Sequence, residues 1–227
     1  MRGFETSYPR YSVPHRINAL GWLIAVSLLV VLTPTGRSFA DITASDPAHE
    51  TQSMVAQAIA ILRNSNISID ERRRLVIKLA ARKLDFERMA RGSLGPHWTE
   101  LTLSERDRFV SLFTGFFEAA YLNKIQDYSN LEIRVANETF AGRNYARVDA
   151  TVIEPASDNV PITFLLARHG SNWMVYDVEF ENVGMIENYR AQFDRIIRAH
   201  GIAQLMADLQ AKQAQLGAGL GTRRGSS

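Results

Sequence analysis

The stretch 172–209, NWMVYDVEFENVGMIENYRAQFDRIIRAHGIAQLMADL, constrains this chain more than any other. Residues 173–180 are aromatic and β-branched, which predicts a strand. Met185, Ile186, Tyr189, Phe193, Ile196 and Ile197 then recur at helical spacing. Gly201 stands at a helix C-cap position, and Ile202, Leu205, Met206 and Leu209 begin a second helical stripe. A strand that feeds two amphipathic helices must pack both of them on apolar surface supplied upstream.

Upstream, the pattern supplies that surface. Leu131, Ile133 and Val135 alternate with polar residues, which predicts a half-buried strand. Residues 145–154 form a second, with Ala146, Val148, Ala150 and Val152 on one face. Residues 160–168 form a third, with Ile162, Phe164 and Leu166 on one face and Leu165 on the other. Short turns at 141–144, 155–159 and 169–172 join them, so the four strands form an antiparallel meander.

Helices precede the sheet. Asp46-Pro47 is an N-cap followed by proline at the first helical position, and predicts a helix to about Arg63 with Val55, Ile59 and Leu62 on one face. Ser68 and Glu71 have capping-box spacing and open a helix over 69–83, with Leu75, Val76, Leu79 and Ala80 as its buried stripe. Asp85 caps a short helix over 86–94, which Gly95-Pro96 interrupts; His97-Trp98 belongs to a turn or to the next helix. Thr102 and Glu105 open the most strongly patterned helix, 103–124, whose aromatic face runs from Phe109 to Tyr121. The expected fold class is therefore α+β: a curved antiparallel sheet of about four strands packed with helices.

The N-terminus reads as an export signal. Arg2, Arg10 and Arg16 form a positive region before the apolar run ALGWLIAVSLLVVL at 19–32, which is short for a bilayer span. Ser38-Phe39-Ala40 carries small residues where a signal peptidase reads, so residues 1–40 are expected to be a signal peptide cleaved after Ala40. The alternative is an uncleaved N-terminal anchor. No cysteine follows the apolar run, which excludes a lipoprotein. No second run approaches membrane-spanning length, so a soluble exported domain over 41–212 is expected, followed by a disordered Gly-, Arg- and Ser-rich tail over 213–227.

Export changes the charge reading. Residues 1–40 hold four of the 26 basic residues and one of the 24 acidic ones, leaving 22 against 23 and a net of −1. A nucleic-acid role loses its electrostatic footprint. Without cysteine, an exported domain depends on its core alone for stability.

Chemistry is scarce. There is no nucleophile elbow, phosphate loop or dinucleotide fingerprint. His49, His97, His169 and His200 have neither ligand spacing nor a carboxylate cluster, so no metal and no cofactor is expected. Asp177, inside an apolar strand, reads as a base with a raised pKa, as an outward residue, or as a partner of Arg190. The segment carrying Arg72, Arg73, Arg74, Lys78, Arg82, Lys83, Arg88 and Arg91 is either a solvated helix face or a docking surface for an acidic partner or anionic head groups. Arg72, Arg73 and Arg74 are its docking candidates. The aromatic helix and the doubly apolar third strand offer more apolar surface than mutual packing consumes, which fits an internal apolar cavity. Its candidate lining is Phe113, Phe116, Phe117, Val148, Val152, Ile162, Phe164, Tyr176 and Val178.

The pattern Trp173, Val175, Tyr176, Asp177, Val178, then Val183, Met185, Ile186, Asn188, Tyr189, Arg190, Phe193, Gly201, Ile202, Leu205 and Leu209 resembles the end of the MlaC, or toluene-tolerance, family of periplasmic lipid-binding proteins. The upstream order agrees: export signal, helices with Gly95-Pro96 and Trp98, Phe-rich helix, strand run. The family commonly carries Gly then Ser between strand and helix, where this chain has Asn182 and Gly184 nearby, and the tail beyond Lys212 has no counterpart. The resemblance implies a soluble periplasmic carrier that shuttles phospholipid, as cargo, between an inner-membrane ABC transporter with an MCE-domain component and an outer-membrane lipoprotein complex, maintaining outer-membrane lipid asymmetry. Related members are associated with hopanoids, so a hopanoid carrier is the alternative within the family. Outside it stand a small pocket enzyme of cone-shaped α+β type working through Asp177, and an adaptor that binds only protein through the basic helix.

Overall fold

The chain divides into two units, Met1–Ala40 and Asp41–Ser227. The computed structural model describes residues 46–121, 132–153 and 159–221, with side chains to 216. The predicted signal peptide, the end of the predicted aromatic helix beyond Tyr121, Leu131, the turn at 154–158 and residues 222–227 lie outside the described residues.

Local capping chemistry sets the helix starts. Asp46 accepts from the Ala48 N–H at 2.9 Å, and Pro47 opens α1, Pro47–Arg63. Ser68 accepts from the Glu71 N–H at the start of α2, Ile69–Lys83, and Asp85 from the Arg88 N–H at the start of α3, Phe86–Leu94. A 3₁₀ helix, Gly95–Glu100, takes up the His97-Trp98 segment. A complete capping box of Thr102 and Glu105 opens α4, Leu103–Ala120.

The sheet is a meander of five antiparallel strands in chain order: β1 Glu132–Ala141, β2 Tyr145–Ile153, β3 Val160–His169, β4 Asn172–Phe180 and β5 Val183–Gly184. The α+β class is as expected, with one strand more than the sequence pattern reveals. The short β5 folds back on Glu179 and Phe180 through Glu181 and Asn182, both at positive φ. Asparagine tolerates that conformation, but glutamate rarely signals it.

The sheet is curved. Phe140 of β1 meets Trp173 of β4 with ring centroids 6.1 Å apart, although flat strands three places apart lie about 14 Å from each other. The sheet curls toward this face and both side chains lean inward.

Two helices follow, α5 Met185–His200 and α6 Ile202–Gly221, separated by Gly201 at φ +81°. Helix α6 corrects the expected start of a disordered tail at 213. The Gln213 side-chain amide lies over Gly115 of α4, so that a Cβ there would displace it, and the helix continues past Lys212.

Two apolar centres result. One joins the concave sheet face to α1 through Val55, Ala146, Val148, Ala150, Ile162, Phe164, Leu166, Trp173 and Val175. The other is helical. Phe109 meets Phe193, Phe113 and Phe116 meet Tyr189, and Phe86 meets Phe117, all edge-on at 5.5–6.2 Å. Leu205 and Leu209 of α6 are also fully buried.

Candidate functional site

The concave face is ordered in cross-strand rows. At the end carrying the β1–β2 and β3–β4 hairpins, Phe140, Ala146, Leu166 and Val175 share a row. Next come Val148, Phe164 and Val178, then Val135, Ala150, Ile162 and Phe180, and last Ile133, Val152 and Val160. Apart from Phe140, which is exposed, burial falls along this series. Ala146, Leu166, Trp173 and Val175 are sealed, while Ile133, Val135, Val152, Val160, Val178 and Phe180 are only half-buried. Met54 and Ile59 of α1 are half-buried beside them. Among the described residues, apolar surface is thus left half-covered on α1 and on all four long strands. Bare apolar surface is unfavourable by about 25 cal/mol per Å², so a contiguous patch of this kind marks a place that something else covers.

The predicted lining residues divide. Val148, Ile162 and Phe164 form the sealed floor of this face, and Val152 and Val178 its half-covered end. Tyr176 does not belong with them. Leu165 pairs with Asp177 but Leu166 pairs with Val175, so Tyr176 is the extra residue of a β-bulge. Simple alternation groups Tyr176 with Val178; the bulge puts Tyr176 on the convex face, 6.0 Å from the Tyr145 ring and beside the Arg88 guanidinium. Phe113, Phe116 and Phe117 lie elsewhere. They are buried in the helical centre among Phe86, Phe109, Tyr189 and Phe193, separate from the sheet cluster. Their breadth on α4 serves packing against several helices at once. Half-buried on the same cluster, and not among the predicted lining residues, are Ile133, Val135, Val160 and Phe180 of the sheet and Met54 and Ile59 of α1. Ile133 and Val135 were visible in the alternation, but only the register aligns them with Val160 and Phe180.

Asp177 is a helix anchor. It is 8% exposed, and its Oδ1 accepts the Ile186 N–H at 3.0 Å and the Val178 N–H at 2.7 Å. Helix α5 has Gly184 at its N-cap and no side chain there, so the strand supplies the cap. A Cβ on Gly184 would lie 2.9 Å from the other carboxylate oxygen, which is why glycine fits there. Burial raises the Asp177 pKa, partly offset by the two backbone donors. The expected partner Arg190 instead donates to the Gly92 carbonyl at 2.8 Å.

The basic helix is also largely accounted for locally. Arg72 donates to the Leu62 carbonyl at 2.9 Å, Arg73 pairs with Asp70 at 2.9 Å, and Arg74 pairs with Glu71. Lys83 pairs with Glu50 of α1 at 2.5 Å. A cleft of about 420 Å³ between α2, α4 and α6, lined by Ile77, Gly115, Glu118, Ala119, Gln210, Gln213 and Ala214, contains none of the predicted residues. Among the described residues no group of three His, Cys, Asp or Glu could hold a metal ion, and no helix is long and apolar enough to cross a membrane.

Comparison with known proteins agrees with this architecture. The sequence profile of the MlaC protein family matches residues 52–211. The intermembrane phospholipid transport system binding protein MlaC of Haemophilus influenzae is 24% identical over 126 residues. That match takes in 54% of this chain and 59% of the relative's length. A phospholipid-binding protein from Ralstonia solanacearum, solved in complex with a phospholipid, superposes with a TM-score of 0.67 at 19% identity, over 76% of this chain and 99% of that one. The fold is thus shared with that structure, and the profile match over most of the folded region places this chain in the MlaC family.

Proposed function

We propose that this protein is a periplasmic phospholipid carrier whose cargo chains lie against the half-covered end of the concave sheet face. The observation that carries the reading is the set of half-buried apolar residues on the concave face, Ile133, Val135, Val152, Val160, Val178 and Phe180, with Met54 and Ile59 of α1 half-buried on the same cluster.

The physics requires such a surface. Each acyl methylene left in water is unfavourable by about 0.8 kcal/mol, so two chains of about fifteen methylenes come to roughly 24 kcal/mol. A lipid therefore needs an enclosing partner to cross an aqueous space. Its charged head group is better left in water, because burial without a partner carries a desolvation penalty. A slot that is closed over β2 to β4 at the hairpin end and half-covered at the other meets both needs. Donor and acceptor are, on this reading, an inner-membrane ABC transporter complex with an MCE-domain component and an outer-membrane lipoprotein complex, and the result is maintenance of outer-membrane lipid asymmetry. Delivery to that space is the task of the 1–40 signal. The role of Asp177 as a helix anchor supports a carrier over a pocket enzyme, since its carboxylate oxygen is committed to backbone donors.

Native mass spectrometry of protein exported in a Gram-negative host tests the proposal. One glycerophospholipid per chain is expected. A hopanoid in its place would move the assignment to the hopanoid-associated branch, and protein free of lipid would overturn the carrier reading.

A further inference from the structure

We infer that the hairpin end of the sheet is a docking edge for an anionic lipid bilayer, with the turn at 141–144 as its leading point. This goes beyond the carrier reading and does not depend on it.

Two turns lie side by side at this end. One joins β1 to β2 between Phe140 and Tyr145, and the other joins β3 to β4 through Gly170 and Ser171. The Arg168 N–H donates to the Asn144 carbonyl at 2.8 Å, and Phe140 meets Trp173, so the two turns are tied together. Exposed aromatic rings flank the first turn on both sides. Phe140, on the concave face, is 57% exposed, and Tyr145, beside Tyr176 on the convex face, is 42% exposed.

The charge of these turns is one-sided. No carboxylate occurs in 139–148 or in 159–176. Arg143 is exposed at the tip and has no ion pair among the described residues. The Arg168 guanidinium stacks on Trp173, 5.0 Å from the ring centroid, and its Nε has no hydrogen-bond partner. Arg147, by contrast, is consumed by Asp149 and Glu179. Glu138 and Asp46 both accept from the Ala48 N–H, and Asp85 is paired with Arg88.

Exposed rings set among uncompensated arginines match the head-group layer of a bilayer, where aromatic rings settle at the interface and cations meet phosphate. Overall charge does not attract the protein to such a surface, because residues 41–227 carry a net of −1. Attraction has to come from a local patch. The rings stand at hairpin turns and line no groove, which suits entry into a head-group layer over capture of an acidic peptide. The half-covered end of the concave face lies at the other end of the sheet, so a chain docked by its hairpins keeps that end toward water.

The chain has no cysteine, so single labels report which end docks. An environment-sensitive fluorophore on Asn144→Cys, in the protein over 41–227, should shift to the blue with phosphatidylglycerol–phosphatidylethanolamine vesicles and stay unshifted with phosphatidylcholine vesicles. The same label on Asn159→Cys, at the opposite end of β3, should stay unshifted with both. Salt at about 1 M, where the Debye length is about 3 Å, should reverse the shift. Arg143→Ala should weaken vesicle partition about fivefold, the factor for one cation at an anionic surface. Phe140→Ser should weaken it about tenfold through lost ring burial; thermal melts check that both variants fold. A shift at 159 in place of 144, no shift at either, equal shifts with both vesicle types, or parent-level partition of both variants would overturn the inference. So would a label at 144 that ignores vesicles and responds to poly-glutamate, which would make the edge a site for an acidic protein. Protein stripped of lipid should give the same shifts, so failure of the carrier reading leaves these outcomes unaffected.

Discussion

The two apolar centres of this protein are made from similar residues and finished differently. In the helical centre Phe109, Phe113 and Phe193 are wholly buried and every ring is met by another. In the sheet centre Val148, Leu166 and Val175 are equally sealed, but the same face two rows on is half-covered. A wealth of aromatic residues therefore marks the part that is finished. The half-covered part is marked mainly by smaller β-branched residues, Ile133, Val135, Val152, Val160 and Val178.

This contrast is open to direct attack. The largest effect belongs to the helical centre: Phe113→Ala should reduce unfolding free energy by about 3–5 kcal/mol, as for other buried rings. Urea denaturation would show it. A loss below about 1 kcal/mol would mean that this centre, too, contains yielding space. In the sheet centre the order of effects should reverse. Val152→Asp puts a carboxylate between Ile133 and Val160 at the half-covered end, and should shift stability by about 1 kcal/mol or less while abolishing co-purified lipid. Unchanged lipid content would remove this end of the sheet from the site. The smallest effect sharpens the boundary between the centres, at Asp177. Its folded pKa is raised above the ordinary 3.8, mainly by burial. The folded state thus binds the proton more tightly than the unfolded state. Its contribution to stability is fully present below the unfolded value and is lost as pH rises through the raised one. Asp177→Asn keeps an acceptor for the Ile186 N–H and should flatten that part of the pH dependence, gaining on the parent in thermal melts as pH rises above the ordinary carboxylate value. A variant that loses ground throughout this range would show that the charge itself is needed at the α5 N-terminus.

Much of the fold was legible because its signals are local. Asp46-Pro47, Ser68 with Glu71, Asp85 and Thr102 with Glu105 act on N–H groups within three residues, so the starts of α1 to α4 follow from adjacent side chains. Alternation in β2 and β3 was legible for the same reason. What failed depends on residues far apart in the chain. The bulge at Tyr176 is set by pairing with β3, and it reverses the parity on which the placement of Tyr176 depended. The Gln213 side chain of α6 sits over Gly115, nearly a hundred positions earlier.

The site shows the same division. Sequence alone determined that the chain is an α+β domain with surplus apolar surface and little catalytic chemistry, because composition and periodicity report the solvent preference of each segment. Only the tertiary structure decided which surplus is consumed. The aromatic face of α4 disappears into contacts with α3 and α5, while Ile133, Val152, Val160 and Phe180 keep theirs. Burial is a property of pairs of surfaces, and a pattern along one segment specifies that a face is apolar without specifying what comes to cover it.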